Sequence, residues 1–454
     1  MATTFHNLIG GRWIPAKSGR TFTNLNPATG APLGDFPDSG PDDVDAAVQA
    51  ARGAMRAWQL TPAPKRGELL YRLGALIAQK KEDLAKSATR EMGKILIETR
   101  GDVQEGVDMA YLAAGEGRRL YGVTTPSEMP NKWAMSVRVP VGVVGVITAW
   151  NFPFAVPTWK IFPALLAGNT VVFKPSEETP EMGFHLGKLL EEVGLPPGVF
   201  NVVHGTGTNV GWPIVQHASV DVVSFTGSNA VAWGAFGTTG QRCTATSRVI
   251  VHEKVHDELV RLVVQRAQAL KLGDGLEEGV EMGPLVNARQ LERVSGYMKV
   301  GADEGAKIAT GGSRAGGAGL DKGFFFQPTV LTDVRSDMRV AQEEIFGPVV
   351  SFVKVKSLEE AIVVNNATPF GLSSSIFTTN VNAAFTAMRD LSTGIVYVNH
   401  GTTGAETHLP FGGTRGTGNG HREAGHTMLD AFTEWKSLYV DFSGKVQRAQ
   451  IDNN

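Results

Sequence analysis

The sequence predicts an α/β fold built on a parallel sheet with helices on both faces, and three observations carry that reading. Between residues 143 and 225, short valine-rich runs alternate with helical patterns, as expected for strands buried on both faces and joined by crossover helices. From Asp42 to Leu120 the apolar residues recur with helical spacing. The second half resumes the strand and helix alternation without internal repeats. A chain of 454 residues suffices for two or three domains with a large core.

Asp42 or Asp43 can cap a first helix with Val44, Ala47, Val48, Ala51 and Met55 on one face. A second helix fits Lys65–Gln79, with Leu69, Leu70, Leu73, Leu76 and Ile77 on one side. Val143–Thr148 reads as a strand, Pro157–Ala167 as a helix, Thr170–Lys174 as a strand and Pro180–Val193 as a helix. Phe200–Val203 is then a strand, Asn209–His217 a short helix and Val222–Phe225 a strand. Further along, strands are expected at Ser247–Val251, Val349–Val355 and Gly394–Asn399, and helices at Lys254–Leu270 and Leu285–Glu304. Ser437–Phe442 alternates like an edge strand, which invites pairing with another subunit.

Charge and leader patterns exclude several classes. The formal net charge of −2 argues against a nucleic-acid binder or a polybasic membrane protein. The first residues lack a basic-then-apolar signal pattern. The longest apolar stretch, Val139 to Trp150, contains Pro140, Gly142 and Gly145 and is too short to span a bilayer. A cytoplasmic location is expected, and a single reduced cysteine suits it.

That cysteine, Cys243, excludes an internal disulfide and a multi-cysteine metal site, and no metal is expected. It sits in Thr238-Thr239-Gly240-Gln241-Arg242-Cys243-Thr244. The flanking Arg242 guanidinium and the free N–H groups of a turn would favour the reactive thiolate. Free cysteine is also often a small buried hydrophobe, so the local sequence leaves nucleophile and filler both open. In parallel sheets ligands bind beyond the carboxyl ends of the strands. Here those ends carry Trp150-Asn151, Lys174-Pro175-Ser176-Glu177, His204-Gly205 and Thr226-Gly227-Ser228. Gly205, Gly207 and Gly211 miss the spacing of a dinucleotide fingerprint and read as a turn.

Six runs occur in order: Trp150-Asn151-Phe152-Pro153, Lys174-Pro175-Ser176-Glu177, Phe225-Thr226-Gly227-Ser228, Gly240-Gln241-Arg242-Cys243, Glu344-Ile345-Phe346-Gly347-Pro348 and Pro410-Phe411-Gly412-Gly413. Together they resemble the NAD(P)-dependent aldehyde dehydrogenase superfamily, from about Leu8 to Asp441. The resemblance implies an aldehyde dehydrogenase-like fold: a Rossmann-like cofactor domain, an α/β catalytic domain and a small β oligomerisation element. The implied division is 1–120 with 138–229 for the cofactor, 230–425 for catalysis, and 121–137 with 426–454 for bridging subunits.

The resemblance also implies a mechanism. Cys243 attacks an aldehyde, and the Asn151 amide and the Cys243 N–H hold the oxyanion of the thiohemiacetal. Hydride passes to NAD, and water hydrolyses the thioester. Oxyanion donors of this kind are the large catalytic term, and a thiolate both attacks and leaves well. Cofactor contacts are implied for Trp150, Lys174, Ser176, Glu177, Thr226, Gly227, Ser228, Glu344 and Phe346. Glu177 would accept the adenosine-ribose hydroxyls and repel a 2′-phosphate, which favours NAD, with NADP still open. The loop Asn399–Glu406 resembles the entrance anchor of branches that oxidise carboxylate-bearing semialdehydes. A small aldehyde as substrate and a homodimer or homotetramer follow from the same likeness.

One departure stands out. Relatives carry a segment of several dozen residues between the Phe-Thr-Gly-Ser turn and the cysteine, whereas Ser228 and Cys243 are fifteen positions apart here. The absent part would hold a Glu-Leu-Gly-Gly-Lys motif whose glutamate activates the deacylating water. No residue between Ser228 and Cys243 is acidic. Three explanations stand: an ordinary enzyme with a further segment at this point of its natural chain, a shortened enzyme that deacylates poorly or not at all, or a different acyl acceptor. Glu423 can be read as a reserve base or as a glutamate in a turn. Rivals from other classes are a thiol esterase, which needs a histidine base, and a cofactor-binding protein without activity.

Overall fold

The computed structural model of the chain describes residues 3–225, 235–317 and 319–444. It opens with β1 (Asn7–Ile9), β2 (Arg12–Ile14), β3 (Thr21–Leu25) and β4 (Pro32–Pro37). Four helices follow: α1 (Pro41–Leu60), α2 (Ala63–Gln79), α3 (Lys81–Met92) and α4 (Leu96–Glu116). The start of α1 corrects the expected cap. Gly40 is the cap residue and Pro41 opens the helix, its fixed φ being suited to the first turn. Asp43, three positions on, accepts the Gly40 N–H at 3.1 Å. Val44, Ala47, Val48 and Ala51 are fully buried, and Met55 packs at the margin of the same cluster.

After β5 (Val123–Pro126) and β6 (Lys132–Pro140) comes the expected alternation: β7 (Val143–Ile147), α5 (Ala155–Ala167), β8 (Thr170–Lys174), α6 (Pro180–Glu192), β9 (Phe200–Val202), α7 (Trp212–Gln216) and β10 (Val222–Phe225). One sheet runs in the order β10-β7-β8-β9-β1-β2. Its first four strands are parallel, and β1 and β2 close it antiparallel. Every residue of β7 and β8 is buried, as a strand covered on both faces must be. Helix α5 is apolar all round and buried over nearly its whole length. It packs between the sheet and helices α2 and α4 within one large core.

The second half contains β11 (Arg248–His252), α8 (Glu253–Ala269), α9 (Ala288–Glu304), β12 (Lys307–Thr310), β13 (Thr329–Thr332), α10 (Arg339–Gln342) and β14 (Val349–Val355). Then come α11 (Leu358–Asn366), β15 (Ser373–Ile376), α12 (Val381–Asp390), β16 (Ile395–Val398) and β17 (Thr433–Asp441). A four-stranded sheet has the order β11-β14-β13-β12, and β15 pairs with β16 in parallel. Helix α9 starts later than expected because Asn287 caps it, accepting the Gln290 N–H at 2.8 Å.

Strand β17 lies at the edge of the sheet β17-β6-β5, and runs longer than its sequence pattern suggested. It pairs with β6 from Thr433↔Pro140 to Asp441↔Lys132. Trp133, Trp435, Tyr439 and Val440 are exposed on this sheet. Among the described residues, no helix is long and apolar enough to cross a membrane.

Candidate active site

Cys243 follows a short turn, Gly237–Gly240, whose geometry is costly by itself. Thr238 and Thr239 both adopt positive φ, 50° and 56°, a conformation worth about 1–3 kcal/mol of strain per non-glycine residue. Their polar groups are fixed in return. Glu98 accepts the Thr238 N–H on both carboxylate oxygens, at 2.8 and 3.1 Å, and Thr239 Oγ1 donates to the Gly283 carbonyl at 2.9 Å. Gly240 completes the turn at φ +66°, and a Cβ there would lie 2.1 Å from the Gly347 carbonyl oxygen. That close approach brings the Glu344–Gly347 segment against the cysteine loop.

Helix α4 supplies the wall facing it. Glu98, Asp102 and Glu105 recur at helical spacing on one side. Lys94 and Asp102 form an ion pair at 3.3 Å with neither side chain exposed. Asp102 also accepts the Ala155 N–H at 2.7 Å, fixing the start of α5. Arg242 pairs with Glu98 at 2.9 Å and donates to Thr238 Oγ1 at 2.8 Å. The Phe152 ring has Lys94 Nζ 3.5 Å from its centroid and the Arg242 guanidinium at 5.6 Å. Through Phe152, the Asn151 motif thus meets the Cys243 motif. Asn151 is buried, and its side-chain amide makes no hydrogen bond among the described residues. A preorganised donor awaiting a developing oxyanion has this character.

The expectation that Arg242 activates Cys243 is corrected. Its charge is taken by Glu98. Burial pushes the Cys243 thiol up to about 12, with Glu105 adding to the shift and Arg242 opposing it only in part. Cys243 keeps partial exposure, and in this geometry it rests as the thiol.

Of the residues expected to hold the cofactor, Trp150 lies beyond the carboxyl end of β7, Lys174 ends β8, and Ser176 and Glu177 follow it. Trp150 and Phe346 meet edge to face at 5.3 Å. With Glu344, Gln290 and Arg293 they line a cavity of about 410 Å³. Phe346 holds a positive φ of 59°, and Gln290 Nε2 donates to its carbonyl at 2.7 Å. Lys174 is buried and donates to Glu177 at 2.8 Å and to the Pro175 carbonyl at 2.8 Å. Burial works against ionisation of Glu177, but Lys174 together with the Glu177 and Gly207 backbone N–H groups outweighs it, so the carboxyl stays below its ordinary value. About a third of the Glu177 side chain remains open to solvent.

Ser176 accepts the Glu178 N–H at 3.3 Å, a turn role. The glycine run beyond β9, expected as a plain turn, winds into a short π-helix at Gly207–Gly211, and a Cβ on Gly211 would touch the Lys174 stem at 3.6 Å. A partly open, ionised carboxylate at the strand ends, the glycine-rich π-helix beside it and an aromatic-walled cavity fit a nicotinamide dinucleotide. Thr226, Gly227 and Ser228 lie outside the described residues.

The model named "Aldehyde dehydrogenase family" matches residues 13–233 and 229–438. The chain belongs to this family. It is 38% identical over 478 residues to alpha-ketoglutaric semialdehyde dehydrogenase of Bacillus subtilis, covering 96% of this chain and 98% of the relative. It is also 38% identical to alpha-ketoglutarate semialdehyde dehydrogenase of Haloferax volcanii, covering 96% and 99% of the two chains. A solved NAD+ complex of an aldehyde dehydrogenase from Bacillus cereus superposes with a TM-score of 0.92 at 36% identity, over 97% of both chains. The chain is accordingly an oxidoreductase of the NAD(P)-dependent aldehyde dehydrogenase type.

Several functional neighbours escaped the sequence reading. Glu98, Asp102 and Glu105 were legible only as an acidic stripe at i, i+4 and i+7 on a helix with many apolar positions. Thr402, expected at the substrate entrance, donates its hydroxyl to the Thr244 carbonyl at 2.8 Å and so braces the cysteine loop. Glu423 forms an ion pair with the fully buried Lys160. The histidines nearest Cys243 in sequence are engaged elsewhere: His252 accepts the Lys254 N–H at the start of α8, and His256 pairs with Asp257.

Proposed function

We propose that this enzyme oxidises a carboxylate-bearing semialdehyde to its acid with NAD, through a thiohemiacetal and a thioester on Cys243. The observation that carries the reading is the meeting of two motifs: Asn151, with an unpartnered buried amide, and Cys243, joined through Phe152 and Arg242. Asn151 and the Cys243 N–H would hold the oxyanion. The cofactor, when bound, accepts the hydride. Glu177, Lys174, Trp150, Glu344 and Phe346 would position it, with Ser176 shaping the turn that carries Glu177. Thr226, Gly227 and Ser228 would complete that site. An ionised Glu177 disfavours a 2′-phosphate, which supports NAD over NADP. The semialdehyde is supported by the names of the two relatives at 38% identity. The division at residues 120, 138, 229 and 425, and a homo-oligomer formed through β17 with its exposed aromatics, belong to the same proposal.

Cys243→Ser should abolish both iodoacetamide labelling and aldehyde-dependent NADH formation. Asn151→Ala should slow NADH formation by about 10²–10³-fold with little change in KM. Persistent oxidation in the serine variant, or an Asn151 effect confined to KM, would remove the respective role. Rates with alpha-ketoglutaric semialdehyde, succinic semialdehyde and propanal decide the substrate class, and equal kcat/KM for all three would reject a carboxylate preference.

A second reading has its own support. The family model matches in two stretches that meet at residues 229–233, where a longer segment was expected. A chain without that segment would form the thioester and release it slowly, unless another carboxylate serves the hydrolysis.

A further inference from the structure

Resting on the reading that Lys174, Glu177, Trp150, Glu344 and Phe346 position a dinucleotide, we propose that Arg289, in the first turn of α9, binds the diphosphate of that cofactor. The Arg289 side chain lines the cavity of about 410 Å³ together with Trp150, Phe346 and Glu344. The Glu344–Gly347 segment of that cavity lies against the cysteine loop, since a Cβ on Gly240 would meet the Gly347 carbonyl oxygen. The end of the cofactor that takes the hydride therefore belongs here. On its other side Arg289 reaches Glu178 at 3.7 Å, and Glu178 adjoins Glu177, the residue read as the acceptor for the adenosine ribose. Arg289 thus stands between the two groups of residues that would take the two ends of a dinucleotide. The diphosphate joins those ends and carries the negative charge.

The other polar side chains that α9 turns to this cavity are committed to the protein itself. Gln290 Nε2 donates to the Ile345 and Phe346 carbonyls at 3.2 and 2.7 Å. Arg293 donates to the Glu344 carbonyl, and its guanidinium lies 5.4 Å from the Tyr297 ring centroid. Arg289 is held more loosely. Its 3.7 Å approach to Glu178 is longer than a hydrogen bond, and its side chain is 81% exposed.

Local energetics point the same way. Arg289 is the second residue of a helix capped by Asn287, with no acidic residue in its first turn. A cation at that end opposes the helix dipole. Arg293, four positions on, sets a second cation on the same face, where like charges repel. A diphosphate in the cavity would relieve both costs. The planar guanidinium also suits it, since its forked donors match two phosphate oxygens at once.

The test reads binding and needs no aldehyde. The full chain is titrated calorimetrically with NAD, NADP and ADP-ribose at low and high salt, and adenosine, which lacks the diphosphate, is added as a competitor of ADP-ribose. Arg289→Gln should weaken NAD and ADP-ribose by about tenfold each, the worth of hydrogen bonds to a charged group, and should flatten the loss of affinity with salt. The inhibition constant of adenosine should stay unchanged. Arg289→Lys, which keeps the charge and loses the fork, should recover part of the affinity. Unchanged ADP-ribose affinity in Arg289→Gln, an equal loss for adenosine, or a loss confined to NADP overturns the proposal; the last would move the arginine to a 2′-phosphate. A wild-type chain that binds neither NAD nor ADP-ribose would instead reject the cofactor reading beneath it.

Discussion

Arg242 lies 2.9 Å from Glu98, and this contact separates the guanidinium from the task its sequence position suggests. Glu98 is nearly buried, and the same carboxylate holds the Thr238 N–H. One side chain from α4 therefore anchors both the charge beside Cys243 and the strained turn before it. Preceding a nucleophile with arginine does not by itself make a thiolate; the charge must also be free to act on the sulfur.

Glu98→Gln should show both consequences. Breaking this pair while leaving Arg242 enclosed should cost about 2–4 kcal/mol of stability, read as a lower urea midpoint. The released guanidinium should lower the raised thiol pKa, so iodoacetamide labelling of the remaining folded protein at pH 8 should accelerate. The sign follows from the direction of the shift: a thiol held above its ordinary value carries less thiolate at pH 8, and restoring a nearby cation increases that fraction.

Glu177→Gln should weaken NAD binding by about tenfold or more, the worth of hydrogen bonds to a charged acceptor, and narrow the preference over NADP. The carboxyl titrates below its ordinary value in the free protein. NAD affinity should therefore hold through neutral pH and fall only as acid protonates Glu177. Titration by tryptophan fluorescence with both dinucleotides checks this, and an unchanged NADP to NAD ratio would count against a ribose contact.

Glu423→Gln should act on stability more than on hydrolysis. Lys160 is fully buried and Glu423 is its ion-pair partner. Because the carboxylate is partly exposed, a loss of about 1–3 kcal/mol is expected, with decay of acetyl-Cys243, formed from 4-nitrophenyl acetate, unchanged. A decay slowed by about 10²-fold or more would instead make Glu423 the hydrolytic base.

Strand β8 was legible to the residue, because its valine-rich run is bounded by Gly168-Asn169 and Pro175. The entrance to α1 was displaced because glycine with a following proline caps as well as aspartate does when a carboxylate three residues on reaches back. Strand β17 was read too short because its first half is defined by pairing with β6, some three hundred residues earlier in the chain. The sequence by itself determined the alternating α/β core, the family, and the residue types at the strand ends, since burial periodicity and local motifs are written along the chain. Tertiary structure alone decided which charges meet. Lys94 with Asp102 and Arg242 with Glu98 meet because α4 packs across the start of α5 and the cysteine turn. The energy of a charge depends on its neighbours and on its distance from water, and neither is fixed until the chain has folded.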